Sequence, residues 1–144
     1  MADKIKFVIP IAPVTKKNNQ RIARRGNKKY IIPSEAYENY EKSCLLIIPA
    51  KYRLKIDYPI NLKAIYYVKR NGIVDKTNLE SSLCDALQRA GVIINDSAIK
   101  PNIIVGTDGS RVYYDKNNPR TEIEITRMYL NDKGEWEHDK EFTL

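Results

Sequence analysis

The chain has 144 residues, of which 42% are hydrophobic and 30% are charged, and its net charge is +7. These values predict a single globular domain over residues 1–144, and no apolar run reaches the roughly 18 residues that a membrane span requires. The only cysteines, Cys44 and Cys84, show no metal-ligand spacing and favour a reduced, cytosolic protein over a disulfide scaffold.

The first quarter of the chain is strongly basic. Between Lys4 and Ser34 there are nine lysines and arginines and no acidic residue, so the remainder of the chain is slightly acidic. A concentrated basic segment is typical of proteins that bind a polyanion. The alternative is a solvated loop that its charge keeps soluble.

The predicted elements of the first half begin with a strand at Lys6–Ile11. Residues 15–28, rich in Asn and Arg, predict an irregular loop, and Lys29–Ile32 a short strand. Ser34 then has the character of an N-cap for a helix that ends near Ile47.

A β-branched and aromatic strand is predicted at Ile60–Val68, followed by a turn at Asn71-Gly72. The second helix is predicted over Asn78–Ala90, with Gly91 after its end. Thr77 and Glu80 fit the T-x-x-E capping box at its start.

Three further strands are predicted, at 103–105, 112–114 and 122–129. Asn131–Gly134 reads as a turn, and the tail that follows carries no clear pattern. The chain therefore predicts an α/β (α+β) fold, with a mixed β-sheet and two principal helices.

Three aspartates surround the second helix: Asp75 before it, Asp85 within it and Asp96 after it. The helical period places Asp85 at the border of the apolar face. A strand that ends near Asp75 and a return that ends near Asp96 would bring these two carboxylates together. Clustered carboxylates repel unless a cation screens them, and Mg²⁺ prefers oxygen ligands. The acids and the basic segment together predict a metal-dependent nuclease.

Each aspartate also has an ordinary structural interpretation. Asp75 is a good helix cap or turn residue, Asp85 fits a boundary position, and Asn95-Asp96 fits a polar turn. Spacing alone does not decide between these alternatives.

The segment from Asp75 to Asp96 resembles the RusA family of Holliday junction resolvases, which are often carried by phages and prophages. The shared pattern is D-x-T-N-L-x-x-x-L-x-D-A-L-x-x-A-G-V-I-x-N-D. Three more segments are similar to the family in the same order, so that residues 1–130 have a counterpart and 131–144 form an unmatched tail. These segments are PVTKKNNQRI (13–22), IIPSEAYENYEK (31–42) and NPRTEIEI (118–125).

The resemblance implies a homodimer that resolves four-way DNA junctions by paired, symmetric nicks and depends on Mg²⁺ or Mn²⁺. It implies catalytic and metal-binding roles for Asp75 and Asp96, with Asp85 at the aspartate of the motif helix. The sequence departs from the best-known form in three places: Thr77 stands where a second aspartate would be, Ser81 where a lysine would be, and Asn95-Asp96 where an acid pair would be. We therefore expect Asp85 or Asn78 to complete the metal shell.

DNA contacts are expected from basic residues in two regions. These are Lys16, Lys17, Arg21, Arg24 and Arg25 in the basic segment, and Lys69, Arg70 and Lys76 near Asp75. Phosphate contacts of this kind carry no sequence information. The departures at Thr77 and Ser81 motivate an alternative, a catalytically impaired protein of the same fold that binds branched DNA. A weaker alternative is an RNA-directed protein.

Overall fold

The computed structural model describes residues 4–15, 21–32, 34–72, 74–94 and 103–138, without the side chains of 21–23 and 30–32. Two α-helices and eight strands lie within these ranges. The helices are α1 (Glu35–Ile47) and α2 (Lys76–Ala90). The strands are β1 (Lys4–Ile9), β2 (Arg21–Arg25), β3 (Lys28–Ile32), β4 (Ile60–Val68), β5 (Ile104–Gly106), β6 (Arg111–Tyr114), β7 (Arg120–Leu130) and β8 (Trp136–His138).

The main sheet has six strands, with β4 and β7 at its centre. Its order is β1-β7-β4-β5, while β6 pairs with the later part of β4 and β8 with the end of β7. Strand β7 runs antiparallel to β1, β4 and β8, whereas β5 and β6 run parallel to β4. This mixed sheet with two principal helices confirms the predicted fold class.

The core lies between one face of this sheet and the two helices. In β4, alternate residues such as Leu62, Ala64 and Tyr66 are buried, because successive side chains of a strand point to opposite faces. Leu83 and Leu87 of α2 join the same apolar cluster. Their spacing of four residues places them on one side of the helix, as the sequence pattern predicts.

The basic segment is partly a β-hairpin, which corrects the prediction of an irregular loop over 15–28. Strands β2 and β3 pair antiparallel in a separate two-stranded sheet. The turn between them consists of Gly26 and Asn27, and Gly26 has a φ of 63°. A left-handed glycine in the first position of a two-residue turn is the signature of a type II′ hairpin.

The start of α2 also differs from the prediction. Asp75, not Thr77, is the N-cap, and its side chain accepts a hydrogen bond from the backbone N–H of Asn78. The capping-box assignment of Thr77 and Glu80 is therefore wrong, whereas the structural interpretation of Asp75 as a cap is confirmed. The first N–H groups of a helix need an acceptor, and the side chain of either Asp75 or Thr77 can supply one. The sequence pattern alone therefore does not decide which of the two is the N-cap.

The remaining element predictions are accurate to a few residues. Ser34 caps α1, as its side chain accepts from the N–H of Tyr37 at 3.2 Å. Gly91 ends α2 with a φ of 78°. In β1 the strand begins and ends two residues before the predicted bounds. The segment after the turn at Asn131–Gly134 contributes β8.

Candidate active site

The connection from β4 to α2 forms the centre of the candidate site. Strand β4 ends at Val68, Lys69 and Arg70 follow on the surface, and the chain then reaches Asp75 at the start of α2. A mixed sheet with a helix after a central strand commonly places polar groups at that strand's carboxyl end. The carboxylate and the cations of this site thus come from one short stretch of chain.

Asp75 is exposed, and its two carboxylate oxygens have different surroundings. Oδ1 accepts from the N–H of Asn78 at 3.3 Å. Within the described ranges, Oδ2 has no hydrogen-bond or ion-pair partner. The helix N-terminus favours a negative charge at this position. One oxygen is therefore held by the helix, while the other is engaged by no described residue.

Asn78 lies one helical turn after Asp75 and is half-buried. Three residues correspond to about 4.5 Å along a helix axis, so its carboxamide and the Asp75 carboxylate can reach the same point. Both groups supply the hard oxygen donors that Mg²⁺ prefers. These oxygen donors are of the type that a divalent cation takes, and the role of Asn78 as a metal ligand stays a prediction.

Asp85 lies elsewhere. It follows Asp75 by ten residues in the same helix, which is about 15 Å along the axis. Two aspartates that ligate one ion directly have Cα atoms no more than about 12 Å apart, given metal–oxygen distances near 2.1 Å. The structure does not bring Asp85 to Asp75, and the expectation that Asp85 directly completes the same metal shell is corrected.

Asp85 instead takes part in the contact between the two helices. The Tyr37 hydroxyl of α1 donates to Asp85 Oδ2 at 3.5 Å. Burial, helped by the neighbouring carboxylates of Glu41 and Asp85, raises the pKa of Tyr37 well above its ordinary value. Buried Glu41 forms an ion pair with Arg89 of α2. This polar seam fixes α2 against α1, and with it the position of Asp75.

Asp96 lies outside the described residues, as do Lys16 and Lys17. The last described residue before it, Ile94, donates its N–H to the carbonyl of Ile56 at 3.0 Å. Among the residues that the structure describes, no three His, Cys, Asp or Glu side chains form a potential metal-binding group. The pairing of Asp75 with Asp96 therefore stays a prediction.

The predicted DNA-contacting residues that are described lie on the surface. Arg24 and Arg25 are exposed on β2, and Arg21 belongs to the same strand. Lys69 and Arg70 are exposed beside the candidate site. Lys76, in the first turn of α2, lies 4.0 Å from Glu80 in an i,i+4 ion pair that is open to water. None of the cations with described side chains, Arg24, Arg25, Lys69, Arg70 and Lys76, is committed to the protein interior, so each of them can contact phosphate.

Comparison with known families decides what kind of protein this is. The family model described as "Endodeoxyribonuclease RusA" matches residues 10–126. The chain belongs to the RusA endodeoxyribonuclease family. No curated protein matches the chain closely enough to count as a relative.

The RusA match covers most of the chain and all of the candidate site. It extends from the end of β1 into β7 and includes the hairpin and both helices. Family membership confirms the resemblance to Holliday junction resolvases and indicates endodeoxyribonuclease activity on DNA junctions. None of the described helices is long and apolar enough to span a bilayer.

The two departures from the RusA motif that lie in α2 occupy different environments. Thr77 is exposed one residue after the helix begins, and Ser81 is half-buried one turn further on. Neither side chain provides a charge. Lys69, Arg70 and Lys76 are the described cations nearest in sequence to Asp75, so they are the candidates for the role of the missing lysine.

Sequence reasoning missed a second charged group at the same end of the sheet. Asp115 follows β6 and donates its N–H to the carbonyl of Val68, the last residue of β4. Its carboxylate accepts from Arg120 at 3.1 Å, and the Arg120 guanidinium lies 3.7 Å from the centre of the Tyr67 ring. Hydrogen bonds from the backbone of Asn118 and from Arg120 lower the pKa of Asp115. The only sequence signal was the Asn-Pro-Arg motif at 118–120.

The two thiols are unsuited to nucleophilic catalysis. Burial raises the pKa of Cys44 to about 11 and that of Cys84 to about 12. Since the thiolate is the reactive form, both side chains are inert near neutral pH.

Proposed function

We propose that this RusA-family protein is a Mg²⁺-dependent endonuclease that resolves four-way DNA junctions by paired, symmetric nicks. Mn²⁺ is expected to substitute for Mg²⁺. The observation that carries the proposal is exposed Asp75 in the matched motif, whose Oδ2 oxygen has no partner in the described part of the chain. We place the activity in the bacterial cytoplasm, where the unpaired Cys44 and Cys84 suit a reducing compartment.

The metal site in this proposal consists of Asp75 and Asp96, with Asn78 as the third oxygen donor. When bound, the ion would polarise the scissile phosphate and lower the pKa of an attacking water. The protein's part is to hold one Asp75 oxygen by the cap hydrogen bond so that the other keeps a fixed direction. Such preorganisation avoids the entropic cost of ordering the ligand during the reaction.

The surrounding cations would position the phosphate backbone. Lys69 and Arg70 precede the site in the chain, and Lys76 follows it on the first turn of α2. Charge beside the cut phosphate stabilises the negative charge that develops in the transition state. We assign to these three residues the role that the motif lysine would otherwise have.

The proposed assembly is a homodimer. A four-way junction has approximate two-fold symmetry, and a two-fold dimer presents two identical sites to it. Two sites related in this way would cut opposite strands at equivalent positions. This geometry is the physical reason to expect paired rather than single nicks.

The experiment is a cleavage assay with a synthetic four-way junction and Mg²⁺, with linear duplex of the same sequence as the substrate control. We expect Asp75→Asn and Asp96→Asn to abolish nicking while junction binding is kept or strengthened, because negative charge beside the phosphate is removed. Asp132→Asn, in the exposed turn before β8, is the matched control and should cut normally. Wild-type cleavage of duplex and junction at equal rates would contradict junction selectivity.

A second candidate function is a catalytically impaired protein that binds branched DNA. The uncharged Thr77 and Ser81 favour it, since the motif then has fewer acidic ligands and one cation less. Junctions that are bound but never nicked, with either Mg²⁺ or Mn²⁺, would establish this candidate in place of the enzyme.

A further inference from the structure

The β2–β3 hairpin stands apart from the rest of the fold. Among the described helices and strands, the only extensive contact that β2 or β3 makes is with the other. Its described side chains, from Arg24 to Lys29, are all exposed. An isolated two-stranded ribbon is at best marginally stable in water. The tip of this ribbon, residues 24–29, is therefore left uncovered by the described part of the protein.

The tip of the ribbon carries like charges directly opposite each other. Arg24 pairs across the strands with Lys29, and Arg25 pairs with Lys28. Like charges in opposed positions destabilise a β-ladder, because the side chains are only about 5 Å apart. No acidic residue lies between 21 and 32 to neutralise them. The arrangement costs stability in the free protein and is relieved when an anion binds.

The two charged pairs lie on opposite faces of the ribbon. Cross-strand partners share a face, and successive residues of a strand alternate between faces. Arg24 and Lys29 are therefore on one face, and Arg25 and Lys28 on the other. A ribbon that lay flat on one phosphate backbone would use one pair only. A ribbon with cations on both faces is matched to a cleft that has phosphates on both sides.

We propose that the β2–β3 hairpin inserts edge-on into the major groove of a duplex arm, with Arg24 and Lys29 facing one phosphate backbone and Arg25 and Lys28 the other. The major groove of B-DNA is about 12 Å wide and admits a two-stranded ribbon, and both of its walls are phosphate backbones. The proposal rests on the proposed function only for the identity of DNA as the substrate. It adds Lys28 and Lys29 to the binding surface and specifies how the hairpin is used.

The test measures junction binding without cleavage, with fluorescently labelled junction in Ca²⁺ over a series of salt concentrations. The variants are the double substitutions Arg24→Gln/Lys29→Gln and Arg25→Gln/Lys28→Gln, one for each face. Each lost phosphate contact should reduce the slope of log affinity against log salt by about 0.9. A dimer carries two hairpins, so we expect each double variant to reduce the slope by about 4 and the combined variant by about 7.

The matched control is Lys42→Gln/Lys133→Gln, which removes the same charge from exposed positions on α1 and in the β7–β8 turn. It should leave the slope unchanged, and circular dichroism should show that all variants fold. A loss confined to one face would overturn the proposal in favour of a ribbon lying flat on the DNA. Unchanged slopes in both double variants would overturn it as well.

A second measurement locates the ribbon. Dimethyl sulfate modifies the guanine N7 atom, which lies in the major groove. A wild-type dimer should protect guanines on the two arms that its hairpins enter, and the four-residue variant should lose that protection. Protection that persists in the variant would contradict insertion at this groove.

The outcomes separate the ribbon from the enzyme. Binding is measured without cleavage. A protein that binds through both faces of the hairpin but never nicks would therefore support the hairpin proposal and contradict the nuclease proposal. If the protein nicks junctions but the hairpin variants bind them with unchanged salt dependence, the nuclease proposal would stand and the hairpin proposal would be contradicted. A wild-type protein that binds no DNA would refute both.

Discussion

At the residue scale, Asp75 combines a structural role with a proposed chemical one. Its Oδ1 caps α2, while its Oδ2 is the oxygen proposed to bind the ion. The sequence predicted both roles as alternatives because aspartate is favoured at helix caps and in metal sites alike. The structure makes them compatible, since each uses a different oxygen.

Substitutions at Asp75 can separate the two roles. Asparagine caps helices as well as aspartate does, whereas alanine costs about 1 kcal/mol of stability. We expect Asp75→Asn to leave the free energy of unfolding nearly unchanged, Asp75→Ala to lower it by about that amount, and both to abolish cleavage. Urea unfolding and the junction assay provide the measurements. Normal cleavage by Asp75→Asn would remove Asp75 from the metal site.

Asp85 should behave differently, because it contacts Tyr37 and lies about 15 Å along the helix from Asp75. We expect Asp85→Asn and Tyr37→Phe each to lower the free energy of unfolding by about 1 kcal/mol, the usual value for one hydrogen bond. Both variants should keep measurable cleavage with an unchanged Mg²⁺ requirement. A requirement for much higher Mg²⁺ in Asp85→Asn alone would restore Asp85 as a metal ligand.

At the element scale, the periodic elements were predictable and the hairpin was not. The apolar period of α2 and the β-branched run of β4 identify these elements because their side chains are sorted by burial. Strand β2 reads RIARR, which has no such sorting. It forms because the Gly26-Asn27 turn lets it pair with β3, and pairing of this kind is a property of two segments rather than one.

Strand β5 depends on a close approach that only glycine permits. A Cβ at Gly106 would lie 2.8 Å from Oδ1 of Asn61. Asn61 is buried and cannot easily move, since its amide group holds the backbone of Asp108 through two hydrogen bonds. No local sequence pattern indicates this contact, which joins residues 45 positions apart.

We predict that Gly106→Ala lowers the free energy of unfolding by about 1–3 kcal/mol, the usual cost of overpacking. Gly72→Ala is the matched control, because nothing lies within 4 Å of its added Cβ and its backbone is not left-handed. The control should be neutral or slightly stabilising. Equal free energies of unfolding for the two variants in urea would show that Asn61 moves aside without loss of stability.

At the scale of the whole molecule, the sheet topology brings distant segments to one edge. Asp115 and Arg120 reach the end of β4 only because β6 pairs parallel with β4 and β7 pairs antiparallel with it. Local patterns predict that these strands exist but do not specify their partners. For the same reason, the sequence pattern indicated the aspartates that lie near Asp75 along the chain but not Asp115, which only folding brings to this edge of the sheet.

The buried thiols and phenols predict how stability depends on pH. Burial raises the pKa of Cys44 and Cys84, and likewise that of Tyr37, Tyr40 and Tyr66. These groups stay protonated in the folded state, while the unfolded chain loses their protons from about pH 9 upwards. The unfolded state is then favoured, so the free energy of unfolding should be constant up to about pH 9 and fall above it.

Urea unfolding between pH 7 and pH 11 measures this dependence. Cys84→Ala removes one contributing group and should make the decline above pH 9 shallower, although the variant is less stable at neutral pH. A decline that is equally steep in Cys84→Ala would assign the alkaline loss to other groups.

The proposed activity depends on one divalent ion shared by Asp75 and Asp96. The most direct measurement is a crystal soaked in Mn²⁺, with the ion located by its anomalous scattering. We predict one peak per subunit, about 2.1 Å from a carboxylate oxygen of each aspartate. A well-ordered crystal in which the two carboxylates lie far apart, with no peak between them, would contradict the proposed site.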